Sequence, residues 1–295
     1  MRILFAGDEH TYSAFALKKV VSLAMNTWAD VTLLALSGDS AAGSGAGPDL
    51  PDGPQGSTAK ALNDYRGEFL AAWDGIESPY TADSYEYRWM PLKNGLWEQV
   101  RVCQSSRKEL RTRLRTSSTA NEILAEAAEG GSDLIVIGCS GGAQCSWAKN
   151  TTVPQKVVTN ATCSVLLVKE DLPVKKITAC IDQNAVSQES LEMINQMVTI
   201  HNADLELVGL TKGGGVHSDT YSRLMQVGDY YSDRGIEAKT HLTEISEFEK
   251  FVAAEPVGDL FALWLGKKSL LDRFFPRDWV GRFVNSCHSS VLVLR

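Results

Sequence analysis

The residues of this chain that are best suited to hold a small anionic ligand lie in a glycine-containing loop. Gly138 and Gly141 follow an apolar run, and Thr151 and Thr152 come shortly before Pro154. Glycines let the backbone approach a ligand closely, and the free amides of a helix N-terminus attract anions. Because proline suits the first helical turn, the pattern predicts an anion-binding loop that ends at a helix N-terminus.

Two further segments are expected to meet this loop. Residues 6–10 follow the first apolar run of the chain, and residues 35–38 follow the second. In a doubly wound sheet, ligands bind beyond the carboxyl ends of the strands, where the crossover direction reverses. We therefore expect both segments to lie beside the loop of residues 138–153.

The spacing of the polar residues indicates no catalytic constellation. No Ser/His/Asp grouping or pair of catalytic carboxylates follows from it, and Asp8 and Glu9 are adjacent, so their side chains diverge on an extended backbone. The histidines also lack metal-ligand spacing. The sequence therefore predicts neither a catalytic residue nor a metal site. The five histidines are at positions 10, 201, 217, 241 and 288.

The elements that must position the loop occur twice along the chain. Residues 2–8 (RILFAGD) recur as 176–182 (KITACID), and residues 29–36 recur as 203–210, both at an offset of 174 residues. Two strand-like segments that match at one offset indicate a duplication.

The ends of the two halves match at a different offset. Residues 132–137 resemble 258–263, and residues 164–168 resemble 290–294, both at an offset of 126 residues. The first half therefore carries 174 − 126 = 48 extra residues, which fall within about 39–107.

Each half alternates strand-like and helix-like segments, which predicts right-handed βαβ crossovers. Continuous apolar runs suit strands that are buried on both faces of a sheet. We predict an α/β fold with two tandem, doubly wound, mostly parallel five-stranded sheets, in domains 1–170 and 174–295. In the second half, strands are predicted near 177–181, 204–210, 236–242, 259–265 and 290–294, and helices near 187–201, 217–234, 245–254 and 277–287.

The insertion at about 39–107 has two parts of different composition. Its front, from Gly38 to Gly56, is rich in Gly, Pro, Ser and Asp and predicts a surface loop. Its rear is too aromatic for a solvated linker, so we expect a lid that packs on its own domain, or alternatively a surface for a protein partner. The aromatic residues are Trp73, Tyr80, Tyr85, Tyr87, Trp89 and Trp97.

Charge and hydropathy exclude two classes of partner. The net charge of −7 gives no electrostatic reason to bind nucleic acid. The basic, alternating segment 110–115 is therefore expected to be a strand with a surface or interface face. No apolar run approaches the ~20 residues that cross a bilayer, and the N-terminus reaches Asp8 too soon for a signal peptide.

The six cysteines show no CxxC spacing, which indicates free and mostly buried thiols in a reducing cytoplasm. Cys139 and Cys145 flank the glycine loop, so a redox role for this pair is the alternative.

With these motifs the chain resembles the universal stress protein family in its tandem form. In the first half the resemblance rests on residues 3–8, on the loop that starts at Gly138 and on the closing run 163–168. ATP-binding members of the family carry G-x2-G-x9-G-(S/T) before a short helix. This chain matches both early glycines and the hydroxyl residue, Thr152, but has Thr151 in place of the third glycine.

The resemblance implies a site for ATP, with Mg²⁺ accompanying the nucleotide and hydrolysis that is at most slow. Asp8 would face the adenine or ribose, Leu36 would contact the base, and the loop would surround the phosphates. If the third glycine is needed at positive φ, the β-branch of Thr151 would be costly there. The implied nucleotide-binding residues are Gly7, Asp8, Leu36, Gly138, Ser140, Gly141, Thr151, Thr152 and Val153.

The second half resembles the family less completely. It keeps Asp182 and Leu210, but its segment 266–269 lacks the second glycine of the loop, which implies a degenerate, structural copy. Family members often pair through their last strands. By resemblance, 165–168 would therefore lie antiparallel to 291–294 in an intrachain pseudo-dimer, and a homodimer remains open.

Two functions remain open at this point. The first is a cytoplasmic stress-response protein that binds ATP or a related adenine nucleotide in its first domain. The second is a nucleotide-free adaptor or regulator whose aromatic insertion, residues 73–97, binds a protein partner or another small ligand. Asp8, Gly138 and Gly141 favour the first, whereas Thr151 and the lost second loop favour the other.

Overall fold

The contacts in the computed structural model divide the chain into two compact units. One contains Met1–Cys139 and Ser146–Val157, and the other contains Ser140–Cys145 and Val158–Arg295. The residues described are 1–36, 56–75, 78–80, 86–91, 96–102, 108–115, 119–140, 145–147, 152–181, 186–212, 218–254, 257–265 and 279–295.

The described residues of the first unit form six strands in the order β6-β1-β2-β5-β4-β3. The first four in this order are parallel, and β4 and β3 continue the sheet as an antiparallel hairpin. Its strands are β1 (Arg2–Gly7), β2 (Asp30–Leu36), β3 (Glu86–Pro91), β4 (Leu96–Val102), β5 (Leu110–Arg115) and β6 (Leu134–Gly138). The first four helices of the chain are α1 (Thr11–Thr27), α2 (Ser57–Ala71), α3 (Ala120–Gly130) and α4 (Val153–Asn160).

Where the structure describes it, the second unit also has six strands, in the order β10-β9-β8-β11-β12-β7. All are parallel except β7, which is antiparallel to β12. Its strands are β7 (Ser164–Val168), β8 (Lys176–Ile181), β9 (Asp204–Thr211), β10 (Ala238–Glu244), β11 (Leu260–Trp264) and β12 (Ser290–Leu294). Its helices are α5 (Gln188–His201), α6 (Ser218–Ser232), α7 (Phe248–Ala254) and α8 (Trp279–Ser286).

Strand register confirms the duplication. Ile3 of β1 pairs with Val31 of β2, and Ile177 of β8 pairs with Leu205 of β9, so both partners are displaced by the predicted 174 residues. Ile3 also pairs with Leu134 in β6. The equivalent pair in the second repeat is Ile177 with Leu260 in β11. The α/β fold is confirmed, and β6, β7, β11 and β12 are buried along their whole length, as strands covered on both faces should be.

The number of strands differs from the five predicted for each half. The hairpin β3–β4 adds two strands to the first unit, and β7, although it belongs to the first repeat, is a strand of the second unit. Helix α2 lies between β2 and β5 in the chain, as α6 lies between β9 and β10. The extra residues of the first half therefore do not form one block but lie on both sides of α2.

Strands β7 and β12 pair as predicted. Leu166 lies opposite Leu292, its own repeat equivalent, and Leu167 lies opposite Val291. Because equivalent residues face each other, the two strands are related by a local twofold axis. The pairing covers the outer hydrogen-bonding edge of β12, which would otherwise be open to other chains.

The side chains around β7 and β12 repeat this twofold relation. Lys169 Nζ donates to the carbonyl oxygen of Val284 at 2.5 Å, and Arg295 Nη2 donates to that of Val158 at 2.6 Å. Each cation thus meets carbonyl groups near the C-terminus of a helix, α8 for Lys169 and α4 for Arg295, where positive charge is favourable.

Candidate functional site

Three neighbouring parallel strands, β6, β1 and β2, end at one side of the first unit. Ala6 pairs with Ile137 in β6, and Gly7 pairs with Ala35 in β2. One residue further along each pair, Gly138 is level with Gly7, and Leu36 is level with Asp8. We call this border, formed by Gly7, Asp8, Leu36 and Gly138, the carboxyl edge. Strand β1 lies between β2, which follows it directly in the chain, and β6, which comes much later. Ligands bind in such sheets where the strand order changes in this way.

Asp8 is buried at this edge and bound by its own chain. Its Oδ1 accepts hydrogen bonds from the Ser13 hydroxyl at 2.9 Å and from the His10 backbone N–H at 3.1 Å. Its Oδ2 accepts a short hydrogen bond from the Tyr12 hydroxyl. These three residues lie at the start of α1, where the helix dipole also favours a negative charge.

His10 extends the cluster towards solvent. Its Nδ1 lies 3.3 Å from Asp8 Oδ2, and 37% of its side chain is exposed. Its ring stacks on that of Tyr12, with centroids 5.5 Å apart and an interplanar angle of 4°. The Asp8 carboxylate is thus held in one orientation by hydrogen bonds from the His10 backbone N–H and from the hydroxyls of Tyr12 and Ser13.

Tyr65 of α2 covers the end of β1. Its hydroxyl donates to the Asp8 carbonyl oxygen at 2.6 Å, and its ring meets Phe5 edge to face with centroids 5.4 Å apart. Burial, and secondly the negative charge of Asp8, raise the pKa of the Tyr65 hydroxyl far above its usual value. The hydroxyl therefore stays protonated and remains a hydrogen-bond donor to the edge.

Backbone packing excludes a side chain at Gly138, and the Phe5 ring crowds the space beside Gly7. A Cβ added to Gly138 would lie 2.1 Å from the backbone oxygen of Tyr12, and one added to Gly7 would lie 2.6 Å from the Phe5 ring. Strand β6 and the start of α1 can approach each other this closely only where position 138 has no side chain.

Trp147 contacts the end of β6. The Trp147 indole N–H donates to the Gly138 carbonyl oxygen at 2.7 Å, and the Trp147 side chain is buried. Cys139 and Cys145 are disulfide-bonded, which corrects the expectation that they are free thiols. Among the described cysteines, Cys163, Cys180 and Cys287 are not disulfide-bonded.

Helix α4 begins as predicted, one residue before Pro154. Thr152 is exposed at its start, and its carbonyl oxygen accepts the Lys156 backbone N–H at 3.0 Å. Val153 is fully buried and Ser140 is half-buried. The structure thus brings Gly7, Asp8, Leu36 and Gly138 to the carboxyl edge and exposes Thr152 at a helix N-terminus. Gly141 and Thr151 lie outside the described residues, as do Asp182 and residues 266–278 of the second half.

Sequence reasoning missed four side chains at or beside this edge. Tyr12 and Ser13 follow Asp8 closely, but their residue types are also common at the start of a helix. Their types therefore do not reveal that both side chains bind the Asp8 carboxylate. Tyr65 shares helical spacing with Leu62 and Phe69, a signal that was available within the insertion. The fourth side chain is that of Trp147.

The aromatic insertion packs into the first unit at the positions where its contacts are described. Tyr80 is fully buried, donates a short hydrogen bond to the Ala29 carbonyl oxygen, and meets Phe69 and Trp73 edge to face with centroids 5.0 and 5.3 Å away. This packing supports the lid interpretation. The Tyr85 position lies outside the described residues.

The basic segment 110–115 forms β5, but two of its arginines do not face solvent. Glu126 of α3 lies 2.5 Å from Arg113 and 2.8 Å from Arg115, and the three side chains are no more than 14% exposed. Glu98 of β4 adds a contact to Arg113 at 3.2 Å. The expected surface or interface face is therefore wrong for these two arginines, because acidic partners from α3 and β4 cover them.

Two classes of feature are missing from the described parts of the chain. No group of three or more His, Cys, Asp or Glu side chains is arranged to hold a metal ion among the described residues. Within the same ranges, no helix has the length and apolarity of a membrane span.

Comparison with known proteins identifies a family for this chain. A model described as "Universal stress protein family" matches residues 1–169, more than half of the chain. The sequence has no significant match among proteins of curated function.

Solved structures share the fold over the whole chain. A protein of unknown function from Pseudomonas aeruginosa PAO1 is 15% identical with a TM-score of 0.58, and the match covers 100% of this chain and 92% of that one. A universal stress protein from Archaeoglobus fulgidus DSM 4304 is 13% identical with a TM-score of 0.56, covering 100% and 98%. The cytoplasmic domain of a prokaryotic cation chloride cotransporter is 11% identical with a TM-score of 0.53, covering 99% and 94%. At these identities the likeness shows the fold alone.

Proposed function

Because this chain belongs to the universal stress protein family, we propose that it is a cytoplasmic stress-response protein whose first unit binds an adenine nucleotide of the ATP class. One observation carries the proposal: Asp8, Leu36 and Gly138 lie within one residue of the same level at the carboxyl edge, beside the change in strand order at which ligands bind in such sheets.

The proposed ligand lies against backbone rather than against charged side chains. Leu36 offers an apolar wall and backbone groups for the base. Exposed Thr152 and the first-turn amides of α4 suit the phosphates, because the N-terminus of a helix attracts negative charge. Mg²⁺ enters this proposal with the phosphates, since the described residues offer no cluster of metal ligands.

Isothermal titration with ATP and Mg²⁺ tests the proposal. We expect saturable heat for the wild-type protein and none for Gly141→Trp, which places a large side chain in the glycine loop. The matched control is Gly67→Trp, because Gly67 is exposed on α2 with open space around its Cβ position. Wild-type protein that gives no heat at high concentration would remove the proposal.

A second candidate function is favoured by the hydrogen bonds of Asp8. Both carboxylate oxygens already accept hydrogen bonds from the chain itself, from His10, Tyr12 and Ser13. An Asp8 that is fully engaged suits a nucleotide-free regulator, in which the same edge is closed by Tyr12 and by Tyr65 above it.

Tyr12→Phe separates the two candidates. It removes one donor to Asp8 Oδ2 and keeps the ring that stacks on His10. If ATP must compete with Tyr12 for Asp8, this variant binds ATP more tightly than wild type. If the protein is a nucleotide-free regulator, neither form gives heat with ATP.

A further inference from the structure

Each hydrogen-bonding group of Asp8 has a partner. Its backbone N–H donates to the Ser13 hydroxyl oxygen at 3.0 Å, and its carbonyl oxygen accepts the Tyr65 hydroxyl at 2.6 Å. Its carboxylate accepts hydrogen bonds from His10, Tyr12 and Ser13. Asp8 is therefore held at its backbone as well as at its side chain.

These partners differ in their distance from Asp8 along the chain. His10, Tyr12 and Ser13 belong with Asp8 to residues 8–13, which we call the 8–13 segment. Tyr65 lies 57 residues further on, in α2. Among the hydrogen bonds that the described residues make to Asp8, that of Tyr65 alone comes from outside the 8–13 segment. The segment's own hydrogen bonds set its internal geometry, whereas Tyr65 ties it to α2.

We propose that Tyr65 is a positioning residue of the carboxyl edge: its hydroxyl fixes the Asp8 carbonyl group and thereby holds the 8–13 segment in the place where a ligand meets it. The segment carries the Asp8 carboxylate and the partly exposed His10 ring. Tyr65 itself is buried and acts through Asp8. The effect on a ligand rests on the proposed nucleotide binding, whereas the positioning of the segment does not.

The surroundings of Tyr65 suit this role. Tyr65 is 7% exposed and Asp8 is 5% exposed, so the hydrogen bond lies away from water and an unpaired carbonyl oxygen there would be costly. The Tyr65 ring meets the buried ring of Phe5 edge to face, which fixes the direction of the hydroxyl. Because burial, and secondly the charge of Asp8, raise the pKa of this hydroxyl, it stays a donor in neutral and mildly alkaline solution.

The second repeat uses the corresponding helix differently. Helix α6 lies between β9 and β10 in the chain, as α2 lies between β2 and β5. Its fully buried tyrosine, Tyr231, donates to the Leu191 carbonyl oxygen of α5 at 3.1 Å. In the described part of the second repeat this tyrosine ties one helix to another, whereas Tyr65 ties a helix to the strand end that carries Asp8. The difference favours a role for Tyr65 at the carboxyl edge.

Tyr80 provides a matched control within the same unit. It is also buried, and its hydroxyl also donates to a backbone carbonyl oxygen at a strand end, that of Ala29 directly before β2. Because β1 and β2 are parallel, Ala29 lies at the opposite end of the sheet from Asp8. Tyr65→Phe and Tyr80→Phe therefore remove the same group from the same kind of hydrogen bond, one at the carboxyl edge and one far from it.

The expected effect on binding is one of preorganisation. A site whose parts are already in place binds with a smaller entropic cost than a site that the ligand must order. In Tyr65→Phe the ring still packs on Phe5, but the Asp8 carbonyl loses its partner and the 8–13 segment can shift relative to α2. We expect this variant to bind ATP with Mg²⁺ roughly three- to tenfold more weakly than wild type. Tyr80→Phe should bind like wild type.

Hydrogen exchange of the ligand-free protein tests the positioning of the segment. We expect residues 8–13 to exchange faster in Tyr65→Phe than in wild type, and at the wild-type rate in Tyr80→Phe. Urea unfolding measures the loss of global stability in each variant, so that exchange through global unfolding can be subtracted. Equal exchange of residues 8–13 in the two variants would overturn the proposal.

Isothermal titration with ATP and Mg²⁺ tests the effect on affinity. Weaker binding by Tyr65→Phe beside unchanged binding by Tyr80→Phe is the expected result. Equal affinities of the two variants would overturn the effect, and tighter binding by Tyr65→Phe would show that Tyr65 closes the edge instead. If wild-type protein does not bind ATP, the proposed function fails together with the effect on affinity, and the positioning of the 8–13 segment is then judged by the hydrogen exchange alone.

Discussion

At the scale of single residues, the site is defined by how closely backbones and buried polar groups approach each other. Asp8 is oriented by three hydrogen bonds from the start of α1, and Gly138 lets β6 contact the same turn. Both residues therefore have a structural role in addition to any role in binding.

Gly138→Ala should destabilise the protein. Its Cβ would lie 2.1 Å from the Tyr12 backbone oxygen, so the strand or the helix start must move, and we expect a loss of about 2 kcal/mol in the free energy of unfolding. The control is Gly67→Ala on the exposed side of α2, where nothing lies within 4 Å, and a gain of up to about 1 kcal/mol is expected. Urea unfolding measures both, and equal values for the two variants would contradict this account of Gly138.

Asp8→Ala should cost about 2–3 kcal/mol, because it leaves the buried hydroxyls of Tyr12 and Ser13 and the His10 backbone N–H without their acceptor. Asp8→Asn keeps one acceptor oxygen in the same place and should cost less. Thermal and urea unfolding measure the two variants side by side. If Asp8→Asn lost more free energy of unfolding than Asp8→Ala, the hydrogen bonds of the Asp8 carboxylate would not stabilise the fold.

The sequence predicted most of the residues that lie at the carboxyl edge, but it did not predict the hydrogen bonds and packing contacts that hold them. The position of Asp8 after an apolar run placed it at a strand end. Its engagement by Tyr12 and Ser13 could not be foreseen, since it depends on how α1 begins and on the missing side chain at Gly138. The contact of Tyr65 with Asp8 arises only from tertiary packing of α2.

At the scale of elements, basic residues next to β7 and β12 bind carbonyl groups near helix C-termini, and the two arrangements are repeat equivalents. Lys169 contacts carbonyl groups of Val284 and Cys287, and Arg295 contacts those of Val158 and Thr159. Lysine differs from arginine here because burial can lower the pKa of a lysine into the pH range in which unfolding is measured.

The stability of the protein should depend on Lys169 in mildly alkaline solution. Burial lowers the pKa of its ammonium group from 10.5 to about 8, so between these two values the unfolded chain binds more protons than the folded chain. The contribution of Lys169 to the free energy of unfolding therefore rises with pH in this window, by at most about 1.4 kcal/mol per pH unit.

Urea unfolding of wild type and Lys169→Met between about pH 7.5 and 9.5 measures this contribution as the difference between the two curves. The pH range has an upper limit because burial raises the pKa values of Tyr65, Tyr80 and Tyr231. Once tyrosines in the unfolded chain ionise, the contribution of these three residues to the free energy of unfolding falls as the pH rises. Lys250→Met, at an exposed lysine, should give a curve parallel to that of wild type. A difference between wild type and Lys169→Met that is flat with pH would contradict the lowered pKa.

At the scale of the whole molecule, the duplication predicted from two sequence offsets is the organising feature. The offsets of 174 and 126 residues reappear as strand register, because apolar strand sequences keep their pairing partners after duplication. The hairpin β3–β4 could not be predicted, since it has no counterpart in the described residues of the second repeat. The placement of β7 in the second unit follows from pairing with β12, and sequence boundaries at 1–170 and 174–295 do not reveal it.

Two fragments of the second half should behave differently. Residues 158–295 retain β7 beside β12, whereas residues 174–295 leave the apolar edge of β12 uncovered. We expect the longer fragment to be monomeric with one unfolding transition and the shorter to self-associate, as judged by light scattering and urea unfolding. Leu167→Glu in the longer fragment should reproduce the behaviour of the shorter one, because Leu167 is fully buried opposite Val291. Identical behaviour of all three would show that this pairing is dispensable.

The central claim, that the carboxyl edge of the first unit binds an adenine nucleotide, is tested most directly by hydrogen exchange with and without ATP and Mg²⁺. The account predicts slower exchange on addition of nucleotide at residues 7–8, 36, 138–140 and 152–153, with β12 unchanged. Unaltered exchange at all four of these segments in the folded protein, at nucleotide concentrations that saturate typical ATP-binding proteins, would contradict it.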